Sequence, residues 1–268
     1  MTDSTNPMEI LKVLDKSNCG DCGMPTCLAF AATVARGTKS ILDCPHLDED
    51  IINRFDKKIP KRETMEDDMT KAEKELQLKL RTIDLTESAI RSGGAFSKGK
   101  LTIKVCGKNF SVDSNGNFYS EIHIHTWLTI PVLNYIIYGA GVTLSGNWVP
   151  MRELKKGKDW APLFGQTCEK PMKKVADKYP NLFEDMLHIF NGKEVEKQYQ
   201  SDISLVLYPL PKFPILICYW KPGDGLDSDL HIFFDADSEK NLNIESIYSL
   251  GTGLTTMFEK ISLRHGYA

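Results

Sequence analysis

Four cysteines near the start of the chain constrain its fold more than any other feature. They follow the spacing C-x2-C-x4-C-x16-C and are Cys19, Cys22, Cys27 and Cys44. Thiolates three residues apart bind neighbouring irons of one cluster if the chain between them turns tightly, and Gly20 and Gly23 permit that turn. Pro45 adds the Cys-Pro ending that also occurs in bacterial ferredoxins. The spacing therefore predicts a [4Fe–4S] cluster held by these four cysteines.

Two other uses of the cysteines remain open at this stage, a zinc site and a set of buried free thiols. Zinc sites built from cysteine typically use two separated C-x2-C pairs, whereas this sequence has one such pair. The chain has seven cysteines, an odd number, and four of them are clustered. In a reducing compartment such clustering favours metal binding over disulfides.

The segment after Pro25 predicts a short helix packed close to the metal. Small and apolar residues run from Thr26 to Arg36, and Gly37 marks the end of the run. Pro25 suits the first turn of a helix. Small side chains would let the helix lie close to a cluster, with Cys44 returning on a loop.

Charge and hydropathy indicate a soluble cytoplasmic protein. The net charge of −3 over 268 residues gives no general attraction to nucleic acid or to an anionic membrane. The N-terminus lacks a basic region followed by an apolar run, as a secretory signal would have. The longest apolar stretch, Trp127 to Tyr138, contains Pro131 and Asn134 and is too short to cross a bilayer.

The composition divides the chain into three parts. We predict a cluster domain over residues 1–58, a charged linker with an amphipathic helix over 59–93, and a larger domain over 94–268. Apolar residues recur at helical spacing in the linker and predict one long helix that ends near Ser92, before Gly93 and Gly94. These residues are Met65, Met69, Ala72, Leu76, Leu80, Ile83 and Ile90.

The larger domain is predicted to be α+β with a mostly antiparallel sheet. The alternation in 101–113 predicts a hairpin that turns at Gly107 and Lys108. Residues 202–220 read as two apolar strands around a proline-rich turn, and residues 229–237 as a third. Helices are expected over 124–138, within 171–191 and at the C-terminus, and 141–150 reads as a loop. Strands and helices do not alternate as βαβ units, which favours antiparallel pairing.

Catalytic residues are not evident in this domain. Four aspartates flank the third strand and suit either a metal or acid–base site or, because glycines lie among them, a polar turn. They are Asp224, Asp227, Asp229 and Asp235. His123 and His125 would share a face only in extended chain.

Candidates for binding a second cofactor, a corrinoid or haem, are Cys168, His188 and Trp148. Cys168 lies in a segment that is predicted to be a loop. Of the three cysteines outside the N-terminal motif, it is the best candidate to react or to bind a metal. Cys106 and Cys218 lie in apolar strand contexts and are predicted to be buried thiols. His188 suits an axial ligand, although a single histidine is more often structural.

Two resemblances to known families rest on these residues. The segment Asn18 to Ala31 followed by Cys44-Pro45 resembles the four-cysteine domain of the corrinoid iron–sulfur protein large subunit and of the Rnf complex B subunit. The segments around Leu144–Leu154 and Pro209–Asp235 resemble the DUF3786 family, which has no established function. The first resemblance implies a low-potential [4Fe–4S] cluster that transfers electrons in anaerobic metabolism, with a redox or corrinoid protein as partner.

Three functions follow as hypotheses. The first is an electron-transfer protein that reduces a corrinoid or another cofactor, held by the second domain or by a partner. The second is a redox enzyme whose active site, in the second domain, is fed by the cluster. The third is an interaction protein that responds to the redox state of the cluster. The first is preferred, and whether the chain is itself an enzyme stays open.

Overall fold

The computed structural model describes residues 6–56, 65–179, 181–223 and 225–265. Its internal contacts divide the chain into two compact units, Met1–Asp68 and Met69–Ala268. The three-part division into residues 1–58, 59–93 and 94–268 stays a prediction.

The N-terminal unit is a small helical unit. Its helices are α1 (Pro7–Val13), α2 (Cys27–Ala35) and α3 (Glu49–Asp56), with a 3-10 turn at Ile41–Asp43. The buried apolar core comprises Ile10, Leu14, Phe30, Ala31, Val34, Ile41 and Phe55. The seven core side chains among the described residues form a small core, which gives this unit little apolar burial to stabilise it.

The predicted helix around Thr26–Arg36 is confirmed. Thr26 is the N-cap of α2, its hydroxyl accepting from the Ala29 N–H at 3.1 Å, and Arg36 is the C-cap. Pro25 was expected in the first turn of this helix, but it lies just before the N-cap and therefore outside the helix. Gly37 follows with a φ of +69°, a left-handed conformation that glycine adopts without strain.

The second unit contains most of the helices and all of the described strands. Its strands are β1 (Ala95–Ser97), β2 (Lys100–Val105), β3 (Lys108–Asp113), β4 (Phe118–Ser120), β5 (Trp148–Pro150), β6 (Lys193–Glu194), β7 (Ile203–Leu210), β8 (Phe213–Trp220) and β9 (Asp229–Asp235). The helices, counted from the one that leads into the unit, are α4 (Met65–Leu80), α5 (Leu85–Ser92), α6 (Thr126–Tyr138), α7 (Gly157–Phe164), α8 (Lys170–Lys178), α9 (Leu182–His188), α10 (Ser238–Asn241) and α11 (Ile244–His265).

The strands form two antiparallel sheets, and the predicted α+β class is confirmed. The four-stranded sheet has the order β1-β2-β3-β4 and the five-stranded sheet the order β5-β9-β8-β7-β6. Helices account for 48% of the structure and strands for 20%. Strand β8 is central and buried on both faces, which explains why its sequence is continuously apolar rather than alternating.

The single long helix predicted up to Ser92 is wrong, because two helices form instead. Helix α4 ends at Leu80, and α5 begins after Asp84, whose carboxylate accepts from the Thr86 N–H at 2.7 Å. Asp84 caps the N-terminus of a second helix, and the spacing of apolar residues alone does not predict that a helix begins there. Gly93 ends α5 with a φ of +73°, as the sequence predicted.

Two segments predicted as loops are ordered. Residues 148–150 form edge strand β5, in which Trp148 pairs with Asp235 of β9. Cys168 lies in a π-helical segment, Gly165–Glu169, that joins α7 to α8. Pro171 lies in the first turn of α8, where its missing N–H is tolerated.

Candidate metal centre

A tight loop presents the first three cysteines. Gly20 and Gly23 both have positive φ, +83° and +73°, and the Gly23 N–H donates to the Gly20 carbonyl at 2.8 Å. The Asn18 side chain accepts from the Cys27 N–H at 2.8 Å and so ties the start of the loop to the start of α2. The tight turn predicted between Cys19 and Cys22 is therefore present.

The fourth cysteine follows the 3-10 turn. A capping box between Ser40 and Asp43 holds this turn, with the Ser40 hydroxyl accepting from the Leu42 N–H at 3.2 Å. The Cys44 N–H donates to the Ile41 carbonyl at 3.3 Å. The side chain of Ile41 is fully buried, so the core of the unit fixes the position of Cys44.

The four cysteines line one small cavity. Leu14, Met24 and Phe30 line it as well and give it an apolar wall. Cys19 is exposed, and the other three cysteines are half-buried. An all-thiolate donor set against an apolar wall fits an iron–sulfur cluster, because soft sulfur ligands favour such clusters or zinc.

The other three cysteines lie close enough to affect the ionisation of Cys44. Burial raises the pKa of the Cys44 thiol, and the backbone N–H of His46 opposes that rise. Repulsion from Cys22, Cys19 and Cys27 raises the pKa further. Four thiolates this close together call for a cationic group between them, because ligating cysteines must be deprotonated.

Three polar residues flank this site, and sequence reasoning did not single them out. The Lys39 ammonium donates to the Cys22 carbonyl at 2.6 Å. Asp21 and His46 pair at 2.8 Å, and their ligand atoms lie with that of Cys19 within 4.8 Å of one another. The hydrogen bond with His46, followed by that with Cys19, lowers the pKa of Asp21. In the sequence Asp21 directly precedes Cys22 and His46 lies two residues after Cys44, whereas the position of Lys39 gives no such signal.

The proposed second-cofactor residues lie on three different elements, and each stays a prediction. Trp148 packs beside Phe233, and its carbonyl accepts from the Tyr199 hydroxyl at 2.7 Å. His188 is exposed at the end of α9. Cys168 is 0% exposed and lies 3.6 Å from the Thr252 hydroxyl, and burial raises the pKa of its thiol. A raised pKa disfavours the reactive thiolate.

The aspartates around β9 do not converge on one site among the described residues. Asp235 is buried and accepts from the N–H groups of Ser145 and Gly146 at 3.1 and 2.7 Å, so it organises a turn. Asp229 lies at the other end of the strand, about 20 Å away at the rise of a β-strand. Asp227 is exposed, and Asp224 lies outside the described residues. The polar-turn alternative accounts for Asp235.

The structure brings His123 and His125 together. The sequence predicted that these two side chains would share a face only if the chain between them were extended. They lie between β4 and α6 with ring centroids 5.9 Å apart, and both line a cavity of about 430 Å³. Lys260 and Arg264 of α11 line the same cavity. Sequence reasoning missed this cavity because its two sides are more than a hundred residues apart.

Comparison with known families gives the second unit its identity. The model for a domain of unknown function, DUF3786, matches residues 84–257, well over half of the chain. The chain belongs to the DUF3786 family. A second model, for an Fe-S cluster, matches residues 14–46 and includes all four cysteines of the motif. In this DUF3786 protein residues 14–46 thus match an iron–sulfur cluster model, in agreement with the cluster type predicted from the cysteine spacing.

Curated relatives match the cluster domain alone. The corrinoid/iron–sulfur protein large subunit of Moorella thermoacetica is 52% identical over 42 residues, 16% of this chain and 9% of that protein. The acetyl-CoA decarbonylase/synthase complex subunit gamma 2 of Methanosarcina mazei is 43% identical over 54 residues, 20% of this chain and 11% of that protein. The chain thus spans about a tenth of the length of these relatives, and the predicted resemblance is confirmed.

No solved structure matches the chain. Within the residues that the structure describes, no helix combines the length and the apolar character needed to span a bilayer.

Proposed function

We propose that this protein is a low-potential electron carrier in which Cys19, Cys22, Cys27 and Cys44 hold a [4Fe–4S] cluster. The observation that carries the proposal is the single cavity that these four cysteines line against an apolar wall. When bound, such a cluster takes up and releases one electron at a time. Its acceptor is a redox cofactor held by the second unit or by a partner protein, and corrinoid proteins are one class of partner.

The charges of the unit support a low potential. Residues 6–56 carry eight acidic and five basic side chains, so the surroundings of the site are net negative. Negative charge near a redox centre disfavours the addition of an electron. The Lys39 ammonium lies at the loop, where it donates to the Cys22 carbonyl, and its positive charge favours the addition of an electron.

An exposed edge supports electron exchange with another molecule. Cys19 and the neighbouring Gly20 and Asp21 are exposed, whereas Phe30 and Leu14, which also line the site, are buried. An acceptor can therefore approach the side of Cys19 closely. The corrinoid-protein relatives named above support a corrinoid protein as one acceptor of this kind.

An anaerobic redox titration followed by electron paramagnetic resonance tests the proposal. We expect a one-electron reduction with a midpoint below about −300 mV, in the lower part of the range for such clusters. Lys39→Met removes a positive charge and should lower the midpoint, whereas Asp21→Asn removes a negative charge and should raise it. A centre that strong reductants cannot reduce would overturn the proposal, and shifts of equal sign in the two variants would contradict the electrostatic account.

A further inference from the structure

The cavity lined by His123 and His125 has the shape of a small-molecule site. Its volume of about 430 Å³ lies within the range of roughly 300–1,000 Å³ typical of such sites. It lies between the segment that precedes α6, the first turn of α6 and the second half of α11. It is part of the second unit and separate from the four cysteines.

The inner part of the cavity is apolar. Cys106, Leu128 and Leu254 line it and are 5–7% exposed. Trp127 and Met257 line it as well and are half-buried. A flat indole and a polarisable thioether are side chains that pack well against an aromatic ring. This part of the cavity therefore suits an apolar, flat group.

The mouth of the cavity is cationic. Lys260 and Arg264 are exposed there, one turn apart on α11, and His123 is exposed on the other side. The N-terminus of α6, a helix of 13 residues, borders the cavity at Trp127, and a helix N-terminus favours negative charge. None of the described lining residues is a carboxylate. The mouth thus suits an anionic group.

One residue that lines the cavity carries a buried polar atom without a hydrogen-bond partner among the described residues. The Nδ1 atom of His125 is buried and has no hydrogen-bond partner among the described residues. Burial lowers the pKa of His125, and the nearby His123 and Lys260 lower it further, so its ring is neutral at pH 7. Buried polar atoms in native proteins are usually satisfied. A polar atom or metal carried by a ligand would satisfy this one.

We propose that this cavity binds a flat aromatic molecule with an anionic tail, its ring against Leu128 and Leu254 and its tail at Lys260 and Arg264. Flavin mononucleotide, with one phosphate, and haem, with two propionates, share this chemistry. A corrinoid with its nucleotide tail is far larger than the cavity. That the ligand is redox-active rests on the proposed function, whereas the binding of such a ligand does not.

Equilibrium dialysis of the anaerobically purified full chain against flavin mononucleotide, riboflavin and hemin tests the proposal. We expect flavin mononucleotide or hemin to bind with a micromolar or lower Kd. The double variant Lys260→Gln/Arg264→Gln should weaken that binding about 10- to 100-fold, because charge-assisted hydrogen bonds to the anionic tail are lost. The Kd for riboflavin, which lacks the phosphate, should differ between the wild type and this double variant by less than about threefold.

A matched variant controls for general charge effects. Lys174→Gln/Lys178→Gln also removes two cations four residues apart, near the end of α8, where both side chains are exposed. It should leave binding unchanged. Thr256→Trp, at an exposed position on the cavity wall, should block binding of either ligand without loss of fold, which circular dichroism checks.

The variants distinguish binding of haem from binding of flavin mononucleotide. Binding of hemin that is lost in His125→Ala assigns haem, and binding of flavin mononucleotide that depends on Lys260 and Arg264 assigns the flavin. Binding of neither, or binding that none of the cavity variants weakens, would overturn the inference. These variants lie outside the cysteine site, so a cluster that titrates normally while no ligand binds would leave the proposed function intact.

Discussion

Cys44→Ala should lose the cluster, with bound iron falling at least about tenfold and the visible absorption lost. Cys44 is half-buried, and the charges of the other three cysteines act on its thiol. Its replacement by alanine therefore removes one of the four ligands of the cluster. Loss of a neighbour that merely orients a metal ligand already costs about 10- to 100-fold in affinity, and loss of the ligand itself costs at least as much. Iron content and absorbance of protein purified without oxygen give the result.

Two variants make this result specific. Cys218→Ala removes a buried thiol from β8 in the second unit and should keep the full iron content. His46→Ala removes the partner of Asp21 but no thiolate and should also keep the cluster. If Cys44→Ala kept its metal and His46→Ala lost it, the metal would be a single ion on the Cys19, Asp21 and His46 set, and the cluster assignment would be wrong.

Removal of the cluster should unfold the N-terminal unit while the second unit stays folded. Among its described residues the N-terminal unit has seven buried apolar side chains, and domains this small usually need a metal or disulfides for stability. Metal sites of this kind couple binding to folding, so the binding free energy is also folding free energy. Amide protons of α1 and α2 should exchange about 100-fold faster or more after chelation.

Hydrogen exchange with mass spectrometry measures this effect with an internal control. Strand β8 lies in the buried five-stranded sheet and has no role in the cysteine site, so its amides should keep their protection. The Cys44→Ala chain should behave like the chelated protein. Slow exchange in α1 and α2 without metal would show that apolar packing alone holds this unit.

The sequence predicted best the features that depend on short-range spacing. The cysteine loop, helix α2, the hairpin of β2 and β3 and the apolar strands β7 and β8 follow from local patterns and appear in the structure. Three-residue strands such as β5 are too short to show alternation, and the break before α5 depends on the Asp84 cap. The local sequence pattern is thus sufficient to predict that a long helix or strand forms, but it does not predict where that element begins or ends.

Sites assembled from distant segments escaped the sequence. The cavity joins His125 to Lys260, and the pairing of the two appears only once α6 packs on α11. The sequence left open whether Asp235 belongs to a metal or acid–base site or to a polar turn, and the N–H groups that donate to its carboxylate belong to a turn about ninety residues earlier in the chain. A carboxylate or histidine in a sequence gives its chemistry, whereas its partners come from the tertiary fold.

The central claim is most directly tested by the iron, sulfide and zinc content of the wild-type chain purified without oxygen. The account predicts about four irons and four acid-labile sulfides per chain, with broad visible absorption and little zinc. One zinc per chain without sulfide would contradict it, because the four cysteines would then hold a single ion that does not carry electrons.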